Sequence, residues 1–531
     1  ISLWHRFSFG FRTSFDMMMK PFLRNCSFRT AVPRSSISYS NEIFTQYSRP
    51  PLAKIVATIG PVSEDAENMK KVVTAGMRVM RMNFSHATVE EAELRMKNLK
   101  AAPGIDKCGE LNNFRAILLD TKGPEIRTGG LQACHDTGDV KAKIWLKTGD
   151  DIMLTHDTKW LDSGDASTLY VTYPSLETTV SPGNVILLDD GAVKLIVKSV
   201  SADGVSCSIE NDGEIGARRG VNLPGVEVDL PPMSDKDKVD IRYGVSNDID
   251  FVAASFVRKA DDVEQIRAYI KECHDEFFPA SHPVPLIISK IESTEALENL
   301  DDLVDVSDGI MVARGDLGVE IDIEEVAIWQ KEMVRMCNEA GKPVIVATQM
   351  LESMQKNPRP TRAEVADVTN AILDGADAVM LSGESANGKY PVESVSMMRS
   401  IIDKTERYIE DGSHEPDIEL ENTPDRIESI ASGIVSASLA KEISCIVVAG
   451  IENGDFVRRV AKFRPNVPVF AVCSCPKVAR QLTIHRGVHP TIGSSQSSKE
   501  MTETAMQYGF CAPGEDVIVM TEDEAIHLVT A

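Results

Sequence analysis

The chain has 531 residues, too many for one hydrophobic core, so roughly two to four domains are expected. A formal net charge of −24, with no basic cluster of useful length to offset it, excludes non-specific binding to nucleic acid or acidic lipid. Nowhere do about eighteen apolar residues run together, which argues against a membrane span, and ten cysteines without a CxxC pair point to reduced thiols in a non-secretory compartment.

Residues 1–49 differ from everything that follows. Arg6, Arg12, Lys20, Arg24, Arg29 and Arg34 stand against Asp16 alone among the first forty, with many Ser and Phe. That bias resembles an organellar transit peptide, so a mitochondrial location stands beside a cytoplasmic one. A disordered tail is the alternative, and Met17, Met18 and Met19 offer a later start that leaves the leader basic.

From Lys54 onward, short runs rich in Val, Ile and Met begin at Lys54, Arg78, Arg115, Ile249, Pro285, Gly309, Pro343 and Ala378. Helical signals lie between them. Thr88 with Glu91 and Thr361 with Glu364 read as capping boxes, Asp322 is placed to cap the run that ends at Gly341, and Gly76 and Gly375 sit at helix ends. Strand and helix alternating in this way imply parallel strands, and eight such units make an α/β fold of the TIM barrel, (β/α)8, type. The third interval is about one hundred residues too long, so residues 50–130 and 231–410 are expected to form the barrel and 131–230 an insertion. Alternating segments in that insertion, such as Lys141 to Leu146 and Asn184 to Gly191, predict a small β-barrel lid. After a polar stretch near Asp411, residues 411–531 predict a doubly wound α/β domain, with strands at Cys445 to Val448, Val467 to Val472 and Val517 to Met520.

In a (β/α)8 barrel the active site lies at the C-terminal ends of the strands. Those ends carry Thr58, Arg81, Asn83, Ser85, Asp120, Thr121, Lys122, Ser255, Lys290, Glu292, Arg314, Asp316, Thr348, Ser382 and Glu384. Glu292 and Asp316 each follow an apolar run, a pattern that asks for a divalent metal, and Lys290 projects from the same strand face as Glu292. A cation held by two carboxylates beside an ammonium suits a phosphorylated or carboxylated substrate; a buried ion pair at a strand end is the structural alternative. Gly383 to Lys389 has P-loop spacing, but Tyr390 stands where the metal-binding hydroxyl belongs. His135, His274, His414 and His489 lack ligand spacing.

Six strings in order carry a resemblance to the pyruvate kinase family: Arg81 to His86 (RMNFSH), Leu119 to Gly129 (LDTKGPEIRTG), Arg219 to Gly225 (RGVNLPG), Ile288 to Glu292 (ISKIE), Met311 to Gly318 (MVARGDLG) and Ala347 to Leu351 (ATQML). The resemblance runs from about Ala53 to Ile492. It implies phosphoryl transfer from phosphoenolpyruvate to ADP, giving pyruvate and ATP, in a homotetramer. It implies Mg²⁺ on Glu292 and Asp316, and K⁺ on Asn83, Ser85, Asp120 and Thr121, with Glu125 matching the potassium-dependent branch. Lys290 and Arg81 match the groups that hold the transferring phosphoryl, Gly315 and Asp316 the substrate's carboxylate site, and Thr348 the group that relays a proton to the enolate. Thr58, Pro61, Asn83, His86, Arg127 and Arg219 match nucleotide-binding positions, and Asp189 to Gly191 the lid tip. Glu91 departs from an aromatic seen in some members. Glu452 and Asp455 occupy a loop where many relatives cradle a sugar phosphate, which implies insensitivity to fructose bisphosphate. A metal-dependent pyruvate-enolate lyase and a catalytically silent scaffold are the competing readings.

Overall fold

The computed structural model describes residues 50–102, 114–410, 425–440, 442–451, 453–493, 497–521 and 525–531. The expected leader, the polar stretch near Asp411, His414 and Glu452 fall outside them.

Eight parallel strands, Lys54–Thr58, Met77–Asn83, Ala116–Asp120, Phe251–Ala254, Leu286–Ile291, Gly309–Ala313, Val344–Ala347 and Ala378–Leu381, close into a barrel in chain order. The first pairs with both the second and the last, Ile55 opposite Val379 on the closing side. Closure follows from strands apolar on both faces. Val56, Val79, Leu118, Ala253, Ile288, Met311, Ile345 and Met380 fill the barrel, while alternate residues such as Ile55, Ala57, Met80 and Leu119 pack under the helices. Both expected capping boxes form, at Thr88 with Glu91 and at Thr361 with Glu364, and Gly76, Gly341 and Gly375 end their helices. Asp322 departs from expectation: its side chain makes no capping bond, because a 3-10 turn at Ile323–Glu325 comes before the helix Val326–Ala340.

Between the third and fourth barrel strands the chain leaves to build a curled six-stranded sheet, in the order Val221–Asn222, Val185–Leu188, Val193–Ser201, Gly204–Ile209, Asp151–Thr155 and Thr168–Tyr170. A ribbon of Lys143–Leu146 and Gly213–Gly216 accompanies it. Its inward residues, among them Leu154, Ile186, Leu195 and Val205, form a core of their own.

The C-terminal sheet runs Val488–Ile492, Val469–Cys473, Ile443–Ile451, Asp516–Met520 and Ile526–Thr530, the last strand antiparallel. Separate apolar clusters cover its two faces. Two of these strands escape a search for apolar runs: Val488–Ile492 contains His489 and Pro490, and Ile526–Thr530 is a largely exposed edge. The domain closes the barrel floor, where Ile484 joins the interior cluster. Lys477 and Arg480 ion-pair there with Asp248 and Asp250 at 2.7 to 3.7 Å. Among the described residues all eight cysteines are free, and no helix is long and apolar enough to cross a membrane.

Candidate active site

Barrel closure brings the ends of strands one to five together. Lys290 stands at the centre, its Nζ donating to Ser255 Oγ at 2.8 Å and lying 2.7 Å from Glu292 Oε1 and 3.4 Å from Asp120 Oδ1. Arg81 Nε donates to Asp120 Oδ2 at 2.6 Å, and Arg81 Nη1 to Thr58 Oγ1 at 2.9 Å. All of these groups are buried. Burial raises the Asp120 pKa, but Arg81 and Lys290 outweigh it and hold the carboxyl below its ordinary value. Burial likewise opposes the Lys290 ammonium, yet Asp120, Glu292 and Asp316 keep its pKa above that of an ordinary lysine.

Glu292 is the unsatisfied member. Burial is the largest influence on it, Lys290 opposes and Asp316 adds to it, and the pKa is pushed up to about 8. Its Oε2 accepts from the Phe256 amide at 2.6 Å, whereas the approach of Lys290 to Oε1 lacks hydrogen-bond geometry and leaves that oxygen without a donor. A fully buried carboxylate with an orphaned oxygen, near a second carboxylate, fits a divalent cation. Asp316 lies in the short helix Arg314–Glu320, next to Gly315, whose amide donates to Thr348 Oγ1 at 2.8 Å.

Asn83 and Asp120 are register partners on adjacent strands, and Ser85 and Thr121 follow them in sequence, so four oxygen-bearing residues lie at the ends of strands two and three. Asn83 Oδ1 accepts from the Ser85 amide at 3.0 Å, and Thr121 Oγ1 donates to Ala253 O at 3.3 Å. Only oxygen ligands are on offer, which suits a hard monovalent cation.

Above the rim, the inserted domain and the barrel enclose a cavity lined by Arg127, Asp189, Asp190, Arg219, Asp316 and Glu320, among others. Asn222 of the insertion donates to Glu320 Oε1 at 2.8 Å across it. Burial first, then the Asp316 charge, raises the Asp190 pKa. Arg127 Nε donates to Glu125 at 2.5 Å, and Arg219 lies 3.5 Å from Asp189. Pro61 and His86, both exposed, stand outside this cavity on the loops after the first two strands, and the Thr58 hydroxyl is buried, donating to Leu381 O. The sequence-predicted residues therefore form a tight cluster at Arg81, Asp120, Lys290 and Glu292, with the nucleotide candidates spread around it.

A family model described as pyruvate kinase, barrel domain, matches residues 51–395, and one described as pyruvate kinase, alpha/beta domain, matches residues 428–527. Pyruvate kinase of Clostridium acetobutylicum is 41% identical over 471 residues, covering 88% of this chain and 95% of that one. Pyruvate kinase PKLR of Homo sapiens is 43% identical over 443 residues, 82% and 74% of the two chains, and pyruvate kinase of Dictyostelium discoideum is 40% identical over 480, 88% and 90%. The chain belongs to the pyruvate kinase family. It is accordingly an enzyme, a phosphotransferase, whose substrates are phosphoenolpyruvate and ADP, and pyruvate kinases need divalent and monovalent cations.

Within this pyruvate kinase fold, several contributors at the rim escaped the motif search. Ser255 was visible as a strand end, but its task, accepting from Lys290 while donating to Thr121 O at 2.7 Å, depends on the barrel register. Asp367 lies outside the six strings, and Asn222 sits within Arg219 to Gly225 with nothing to mark its task; both are far in sequence from their partners Arg314 and Glu320. The segment with P-loop spacing turns out to hold an anion of its own: Glu384 is buried and accepts from the Leu351 and Ser382 amides at 3.0 and 2.8 Å.

Proposed function

We propose that the chain transfers the phosphoryl group of phosphoenolpyruvate to ADP with Mg²⁺ on Glu292 and Asp316 and K⁺ on Asn83, Ser85, Asp120 and Thr121. The observation that carries this is the buried Lys290 ammonium between Asp120 and Glu292, with Glu292 Oε1 lacking a hydrogen-bond donor. Mg²⁺, when bound, supplies charge neutralisation for the substrate's carboxylate and phosphoryl groups. Lys290 and Arg81 then hold the phosphoryl in line as its bond to the enol oxygen breaks and a bond to the terminal phosphate of ADP forms. Lys290 stabilises the enolate left behind. Gly315 and Asp316 position the substrate carboxylate, and Thr348 relays the proton that converts enolate to ketone.

Thr58, Pro61, Asn83, His86, Arg127 and Arg219 take the nucleotide in this reading, and the insertion covers the site and excludes water. The enzyme is a phosphotransferase of the class with an alcohol-group acceptor, works as a homotetramer, and acts in the cytoplasm or, through a basic leader, in mitochondria. A coupled assay of pyruvate formation from phosphoenolpyruvate, omitting ADP, Mg²⁺ and K⁺ in turn, tests it. Each omission should collapse the rate; pyruvate formed equally well without ADP would mean hydrolysis with release of phosphate instead of transfer, and no pyruvate from phosphoenolpyruvate under any condition would favour a lyase or a silent scaffold.

A further inference from the structure

At the end of the seventh barrel strand, Thr348 has φ 68° and Gln349 φ 54°. Two consecutive non-glycine residues in the left-handed region, one of them β-branched, are uncommon and persist only where the surroundings over-determine them. One side chain does this. Arg314 donates from Nη2 to Thr348 O at 2.7 Å and from Nε to Ala347 O at 3.2 Å, so its guanidinium holds the carbonyls on either side of Thr348, the first of the two strained residues.

The guanidinium is itself aimed by an acid fifty-three positions away. Asp367, on the helix Arg362–Asp374, accepts from Nη1 at 2.6 Å and from Nη2 at 2.7 Å, a fork against a carboxylate. Gln330 Oε1, on the helix Val326–Ala340, accepts from Nη1 at 3.2 Å and completes the setting. With the turn held this way, Thr348 Oγ1 donates to Ala347 O at 2.6 Å and accepts from the Gly315 amide at 2.8 Å, which points the hydroxyl at the residue beside Asp316.

We infer that Arg314, oriented by Asp367, is the positioning residue for the Thr348 hydroxyl in the proton-transfer half of the reaction. The inference rests on the reading of Thr348 as the proton relay. Lysine cannot replace the arginine, because a single ammonium cannot span two carbonyls and a bidentate carboxylate together. Loss of the fork lets the turn relax and moves the hydroxyl by a fraction of its bond length or more, and a misplacement of about 1 Å costs on the order of 100-fold in rate.

The test separates the two halves of the reaction. Exchange of pyruvate methyl hydrogens with solvent deuterium, followed by proton NMR with Mg²⁺, K⁺ and ATP present, reports the proton step; single-turnover ATP formation from phosphoenolpyruvate and ADP reports phosphoryl transfer. Asp367→Asn, nearly isosteric, and Arg314→Lys should each slow exchange by about 100-fold and ATP formation by less than about tenfold. In a Thr348→Ala background Asp367→Asn should slow exchange by less than about twofold more, since the group it positions is gone. A merely structural role would slow both steps alike and multiply with Thr348→Ala, and either result overturns the inference. Unimpaired exchange in Thr348→Ala removes the relay reading and the inference with it. Exchange lost in Thr348→Ala but kept in Asp367→Asn and Arg314→Lys overturns the inference alone.

Discussion

Lys290 and Glu292 project from one strand face, with Nζ 2.7 Å from Oε1, both almost entirely out of water. The pair does not satisfy the carboxylate, whose pKa is pushed up to about 8 by burial first, with Asp316 adding and Lys290 opposing. A raised folded-state pKa on an acid means that, between the ordinary carboxylate range and about 8, the metal-free protein loses stability as pH rises. Glu292→Gln removes that slope. The metal-free variant should melt no lower than the parent at pH 7, while its half-saturating Mg²⁺ rises by roughly 100-fold or more. Differential scanning calorimetry with chelator, paired with Mg²⁺ titration of activity, checks both halves.

Glu125 sits between Arg127 at 2.5 Å and Lys122 at 3.7 Å. In the proposed reading Glu125 matches the potassium-dependent branch, where the cation on Asn83, Ser85, Asp120 and Thr121 balances its charge. Activity should therefore need K⁺, and Glu125→Lys, which brings its own charge, should lower the K⁺ requirement by about tenfold or more. Full activity of the parent in K⁺-free buffer would defeat this.

Asp248 ties the barrel floor to the C-terminal domain through Lys477 at 2.9 Å and Arg480 at 2.7 Å. Burial opposes its ionisation, but Lys477, a bond from His282 and Arg480 bring the pKa down to about 2 from 3.8. The stabilisation is fully present above about pH 4 and is lost as pH falls through about 2, amounting to about 1–2 kcal/mol after allowance for partial exposure. Asp248→Asn should cost that much at pH 7 and flatten the acid limb of the melting profile between about pH 2 and 4.

The loop before the helix Asp455–Lys462 holds its charge internally. Asp455 Oδ1 accepts from Arg458 at 3.0 Å and Oδ2 from Asn453 at 2.7 Å. An acid there repels a sugar phosphate, so fructose bisphosphate should leave half-saturating phosphoenolpyruvate within about twofold, against the several-fold shift of a working effector. Titration of the effector at fixed subsaturating substrate decides it.

What the sequence made legible follows its physics. Eight apolar runs at near-regular spacing, with Thr88 and Thr361 capping, announce the barrel, because local pattern and closed topology agree there. The strand Val488–Ile492 stayed hidden because Pro490 and His489 interrupt its pattern, and a partner strand supplies its burial instead. At the site, Lys290, Glu292 and Asp316 were readable from two short strings. Asp367 was not, and Ser255 was readable only as a strand end, since their tasks exist only once register and helix packing bring them to Arg314 and Lys290. Thr58 lay on the rim as expected, but only the structure shows its hydroxyl held between Arg81 and Leu381.

The most direct test is the rate of ATP formation from phosphoenolpyruvate and ADP, with Mg²⁺ and K⁺, by the purified chain and by Lys290→Met. The parent should turn over on the order of 10–100 times per second. The variant should keep the far-ultraviolet circular dichroism of the parent and lose at least about 1,000-fold in rate, because the ammonium that meets the phosphoryl and the enolate is gone. A parent that forms no ATP, or a folded variant within about tenfold of it, would contradict the account.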